Sequence, residues 1–240
     1  MHLIWEEVRA ALPLIWHGNP YLFSIIAFTL QVAAVATALA TLIGLPVGLA
    51  LGLGRFRGRN FLRSLANASL ALPPVLVGAI LYLLMTPQAP LGSLQLIWTR
   101  EAVFIGQTIL ALPYIVALSA AAVQALPPGL LTQAEMLGAG RRQVWALAVR
   151  EARIGVIAAV IAALGTSLSE VAAVTILGGN IYGHTQTLAS ATLYEVNAAS
   201  YTDAVAIAIV LIVMILILMG GLGVLQQREG GIRLRFRSAT

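Results

Sequence analysis

The sequence predicts an all-α integral membrane protein with five transmembrane helices, and three observations carry that fold class. Of the 240 residues, 60% are hydrophobic and 10% charged, with a mean hydropathy of +0.93, whereas soluble domains are nearer half apolar and about a quarter charged. Five continuous apolar stretches reach the roughly 20 residues a helix needs to cross a hydrocarbon core about 30 Å thick. The arginines fall almost entirely in alternate connections. This composition excludes an ordinary globular enzyme, a disordered chain and a nucleic-acid binder.

In chain order the spans are Leu22–Leu53, Leu65–Met85, Val103–Leu126, Ile154–Leu177 and Ala204–Leu225. Their apolar runs are continuous and rich in Ala and Leu, which favours helices; a barrel would show short alternating segments. Residues 1–20 precede the spans and do not read as a signal peptide, since Glu6, Glu7, Pro13 and Pro20 interrupt them. Trp5, Leu12, Ile15 and Trp16 make this an external interfacial segment. Residues 21–227 form the transmembrane domain, and 228–240 a cytoplasmic tail.

Orientation follows from charge. Arg55, Arg57, Arg59 and Arg63 follow the first span, Arg141, Arg142, Arg150 and Arg153 follow the third, and Arg228, Arg233, Arg235 and Arg237 follow the fifth. Only Arg9 and Arg100 lie on the other side. Cytoplasmic loops carry the excess of basic residues, so the N-terminus is predicted outside and the C-terminus inside. The pI of about 10.2 then reflects arginines facing anionic lipid headgroups. All fourteen basic residues are arginine; without lysine the chain has no Walker A loop and binds no ATP in that way. With no cysteine, thiolate metal sites and disulfides are excluded.

One cytoplasmic connection, 127–153, is long. Pro127, Pro128 and Gly129 end the third span; Leu130, Leu131, Ala134 and Leu137 then recur at helical spacing, with Thr132, Gln133 and Glu135 on other faces. Gly138 and Gly140 bracket Ala139 and stop that helix. A second helical piece through Val144, Trp145, Ala148 and Val149 leads into the fourth span. The short helix either lies on the membrane surface or docks into a groove of a soluble partner.

Within the fourth span, Thr166, Ser167, Ser169 and Glu170 are the candidate pathway residues. Thr166 and Ser167 precede Glu170 by four and three residues, so all three share one helical face, and an ionised carboxylate at that depth must face protein or water. Gly44, Gly48 and Gly52 form two GxxxG steps, suited to close helix packing. Pro46, Pro73–Pro74 and Pro113 are predicted to kink three spans. Asn67, Gln107 and Thr108 either line a pathway or bridge helices. No HExxH or GxSxG is present, and His2, His17 and His184 lie outside the spans, so neither catalysis nor a metal site is predicted.

The stretch Thr132–Arg142, TQAEMLGAGRR, resembles the EAA loop of ABC-importer permeases, with the signature glycine at Gly138 and its following alanine at Ala139. The family's leading Glu-Ala-Ala stands here as Thr132-Gln133-Ala134. VREARIGV (Val149–Val156), SEVAAVTILGGNI (Ser169–Ile181), GHTQTL (Gly183–Leu188) and the Pro73–Pro74 pair are similar to the tungstate-type branch of the molybdate, tungstate and sulfate permeases.

That resemblance implies a type I ABC-importer permease fold, two copies forming the pore. It implies cytoplasmic ATPase subunits that bind ATP and Mg and receive the helix through Leu130, Leu131, Ala134, Glu135, Leu137, Gly138, Ala139 and Arg141. A periplasmic or lipid-anchored binding protein delivers the oxyanion, with tungstate ahead of molybdate and sulfate. For Glu170 a structural hydrogen-bonding role is preferred, because a carboxylate repels an anionic cargo. The competing reading is a self-sufficient channel or carrier, which has no use for a protruding docking helix.

Overall fold

Apolar backbone in lipid satisfies its N–H and C=O groups only within helices or closed barrels, and the computed structural model of this chain takes the helical solution. It describes residues 9, 10, 13 and 19–237, with side chains beyond Val224 described only at Gln226. The predicted interfacial side chains Trp5, Leu12, Ile15 and Trp16 lie outside the described residues, as does His17. Among the described residues there is no strand.

The elements are α1 (Pro20–Leu53), α2 (Arg59–Ser69), α3 (Pro74–Met85), a 3-10 turn (Gly92–Leu94), α4 (Arg100–Gln124), α5 (Leu130–Met136), α6 (Arg141–Ser169), α7 (Ala172–Gly178), α8 (Leu188–Asn197) and α9 (Tyr201–Arg237). Three segments are each long and apolar enough to cross a membrane: α1, α4 and Tyr201–Val224 of α9. The other two predicted spans are each broken by a bend, and the count reaches five if each bent pair is one span. Leu65–Met85 is divided between α2 and α3, which meet at 100°, and Ile154–Leu177 is divided between α6 and α7, which meet at 60°. α3, at 12 residues, is about 18 Å long, too short to cross alone. The break after Ser69 has a local cause: Pro73 precedes a proline, which disfavours helical backbone, and it adopts φ −64°, ψ 124°. Pro46 and Pro113, predicted to kink their spans, sit inside the uninterrupted α1 and α4. The region predicted as tail begins as a continuation of α9, whose backbone is helical to Arg237.

The chain divides into two compact units. The first contains the chain up to Ala36, Leu72–Leu110 and Leu164–Leu218. Its core joins Ile25 to Leu188, Ala191 and Ile207; Phe28 and Val32 to Val103 and Val174; and Leu81 and Met85 to Ala102 and Leu177. α3 packs on α7 closely enough that a Cβ at Gly78 would lie 3.0 Å from the Ala173 Cα.

The second unit contains Thr37–Ala71, Ala111–Ala163 and the chain from Met219. Here Gly44, Gly48 and Gly52 do what GxxxG spacing predicts. They bring α1 against Ile115, Val116, Ser119, Ala120 and Val123 of α4, and a Cβ at Gly48 would lie 2.8 Å from the Val116 carbonyl oxygen. Arg59 donates from Nε to the Leu51 carbonyl at 2.7 Å and from a terminal nitrogen to that of Gly52 at 2.5 Å. It thereby satisfies two carbonyls that the end of α1 leaves unpaired. Arg63 donates to Gln124 Oε1 at the end of α4.

Candidate functional site: a protruding helix and a broken span

The 127–153 connection folds as its glycines and prolines dictate. Gly129, at φ +88°, precedes α5, and the Gln133 N–H closes the first turn onto the Gly129 carbonyl at 2.8 Å. At the other end the Ala139 N–H donates to the Ala134 carbonyl and the Gly138 N–H to that of Glu135, both at 3.0 Å. This is a Schellman motif, whose turning residue needs left-handed backbone; Gly138 supplies it at φ +89°. Among the described residues nothing lies within 4 Å of a Cβ placed there. Gly140 then donates to Gln143 Oε1 at 2.8 Å as α6 begins.

The predicted apolar stripe divides. Leu131 packs with Leu126, Trp145 and Val149 around buried Val123 and Ala148, and Leu130 and Ala134 are half-buried. Leu137 is corrected: it caps α5 outside the helix and is 89% exposed. Met136, which periodicity did not single out, is 82% exposed beside it. An apolar knob therefore stands at the tip while the rest of the stripe holds the helix to its own chain. Thr132, Glu135, Ala139 and Arg141 line a hollow of about 400 Å³ together with Leu53, Gly54, Arg55, Leu131, Val144 and Trp145.

In the first unit, α6 ends at Ser169 and Glu170 stands in the break before α7. The prediction that Glu170 shares a helical face with Thr166 and Ser167 is thus corrected. Ser167 is buried, while Ser169 is exposed and donates to the Gly165 carbonyl at 3.0 Å. The Glu170 carboxylate accepts from the Ala173 N–H at 3.0 Å, satisfying one of the donors that the start of α7 leaves open.

Gly179, at φ +69°, and Asn180, at φ +49°, make the predicted turn after α7. Thr185 clamps it, donating to the Gly178 carbonyl at 2.6 Å and accepting from the Ile181 N–H at 2.9 Å. Arg100 Nε donates to the His184 carbonyl at 2.9 Å, and its guanidinium lies 5.0 Å from the Phe28 ring centroid. These positioning roles of Thr185 and Arg100 were not visible in the sequence. Nearby, Glu195 and Asp203 share a hollow with the stacked rings of Tyr21 and Tyr182. Burial, then the Asp203 charge, raises the Glu195 carboxyl above its usual range. Within α4, Gln107 is 1% exposed, and among the described residues neither its Nε2 nor its Oε1 has a hydrogen-bond partner. Thr108 donates to the Phe104 carbonyl at 2.7 Å, and Asn67, on α2, is exposed.

Residues 44–230 match the family described as binding-protein-dependent transport system inner membrane component. A probable anion ABC transporter permease protein of Haloferax volcanii is 37% identical over 78% of this chain and 83% of its own length. A tungstate uptake system permease protein of Campylobacter jejuni is 33% identical over 86% of each chain. A chain of the MetNI methionine ABC transporter, solved in inward-facing conformations, superposes with a TM-score of 0.67 at 19% identity, covering 90% of this chain and 98% of that one. The chain is therefore a member of the inner-membrane components of binding-protein-dependent transport systems, with the helical fold of the type I ABC-importer permeases.

Proposed function

We propose that this chain is the pore-forming permease subunit of an ATP-driven importer of a tetrahedral oxyanion, tungstate ahead of molybdate and sulfate. It works as a homodimer with five spans per copy, each bent pair counting as one. The N-terminus is outside and the C-terminus in the cytoplasm, a reading that the arginine distribution supports. The carrying observation is the protruding α5, ended by the Gly138 turn with Met136 and Leu137 exposed at its tip. A helix built this way fits a groove on a cytoplasmic ATPase. Leu130, Leu131, Ala134, Glu135, Leu137, Gly138, Ala139 and Arg141 form the coupling element.

ATP and Mg belong to that partner, and an external binding protein delivers the anion. Closure of the ATPase pair moves the docked helices and alternates access to the pathway. Thr166, Ser167, Ser169 and Glu170 stand by the broken fourth span, where movement would open it. Anion chemistry is supported by the names of the relatives. The test is ATP-dependent uptake of radiolabelled tungstate, molybdate and sulfate by vesicles holding the permease, its ATPase and its binding protein. Uptake of one oxyanion only with all three proteins and ATP is expected. Uptake by this chain alone without ATP would instead make it a self-sufficient carrier.

A further inference from the structure

Building on the docking role proposed for α5, we infer that the ATPase inserts an acidic side chain into a basic socket beside that helix, between Arg55 and Arg141. The segment 55–63 holds four arginines that sequence treats alike. Arg59 and Arg63 are engaged by the ends of α1 and α4. Arg55 is exposed, and among the described residues no hydrogen bond or ion pair takes up its guanidinium or that of Arg141. Both line the hollow beside α5. Arg141 also opens the 29-residue α6, whose N-terminal end adds positive potential, and the Thr132 hydroxyl is a further donor. Glu135 is the one carboxylate in the lining, leaving the socket net positive.

Leu53, Leu131, Val144 and Trp145 supply an apolar wall, which strengthens charge-assisted bonds formed there. Guanidinium forks match a carboxylate bidentately. The occupant belongs to the ATPase because α5 and its cap form one side of the socket through Leu131, Thr132, Glu135 and Ala139. Whatever seats Met136 and Leu137 also covers that rim. An apolar knob alone leaves its partner free to rotate about it; a carboxylate held in the adjacent socket sets the register.

The experiment titrates ATPase onto purified permease in lipid-free detergent at several salt concentrations. Arg55→Gln/Arg141→Gln should weaken association on the order of tenfold and flatten its salt dependence. Arg57→Gln, exposed but outside the socket, should match wild type, and thermal unfolding of the free permease should be unchanged. In this cysteine-free chain, Arg55→Cys should react with a maleimide in the free permease and be protected once ATPase is bound; this readout stands even if the double variant folds poorly. Unchanged affinity and salt slope, or full labelling in the complex, would overturn the inference. So would a deficit that appears only when anionic lipid is added back, which would place a lipid headgroup in the socket. Leu137→Ser separates the levels. If it abolishes association while the arginine variant does not, the socket alone is wrong; if neither variant changes association, the docking role of α5 fails as well.

Discussion

Substituting Gly138 separates backbone from charge in the proposed coupling element. With φ at +89° and no described residue within 4 Å of a Cβ placed on it, side-chain volume costs nothing there. The whole penalty is the left-handed backbone, about 1–2 kcal/mol for Gly138→Ala. If that penalty is relieved by opening the turn, the bonds from Ala139 to Ala134 and from Gly138 to Glu135 are lost, and Leu137 is no longer held at the tip. A shift of that size changes the ratio of seated to frayed loop roughly 5- to 30-fold. Gly138→Asn should stay near wild type, because asparagine tolerates left-handed backbone through local hydrogen bonds. Gly138→Asp has a similar backbone tolerance but takes a charge to the partner surface, where docking must strip its water. The expected order of ATPase affinity and of ATP-driven uptake is Gly, Asn, Ala, then Asp, with unfolding of the isolated permease almost unchanged. Wild-type behaviour of the Ala variant would refute the backbone argument, and equal losses for Asn and Asp would refute the charge argument.

Gly48→Ala should lower permease stability by about 1–3 kcal/mol, since its Cβ meets the Val116 carbonyl at 2.8 Å; Gly52→Ala, whose nearest contact is 3.2 Å, should cost less. Thermal unfolding of both variants in detergent checks this order, and equal melting would contradict it. Glu170→Gln should retain most uptake, because its amide oxygen can still accept from Ala173. Glu170→Leu should lose stability by about 1–3 kcal/mol for the open N–H. Loss of uptake in a fully assembled Gln variant would assign the Glu170 charge to the pathway.

Apolar run length located the long helices α1 and α4 to within a few residues, because both keep one helical register from end to end. It did not locate the breaks, because hydropathy is blind to backbone direction: apolar residues flank both bends. Of the proline sites, the one that divides a span is Pro73–Pro74. A single proline removes one hydrogen bond from a helix whose other turns persist, as around Pro46 and Pro113. Adjacent prolines add the restriction on the residue before, and Pro73 is that residue. The break at Glu170 has no proline. Its readable sign is the carboxylate three residues before Ala173, a spacing that lets a side chain cap an emerging helix.

Charge counting and periodicity have a related blind spot at the proposed coupling element. Leu137 falls at the right interval to join Leu130, Leu131 and Ala134, yet the cap ends the helix first and leaves it exposed. The Schellman pattern at Gly138 contained that information: a helix closed by a glycine turn ends before it, so a residue next to that glycine is at the tip rather than on the packed face. The arginines near α1 carry the same lesson in electrostatic terms. Their number assigns a side of the membrane, but their availability depends on which carbonyls need donors. Arg59 and Arg63 stand where helix ends lack partners, whereas Arg55 and Arg141 border a hollow. The coupling surface proposed above rests on charges that the described residues leave without internal use, and only the folded chain shows which charges those are.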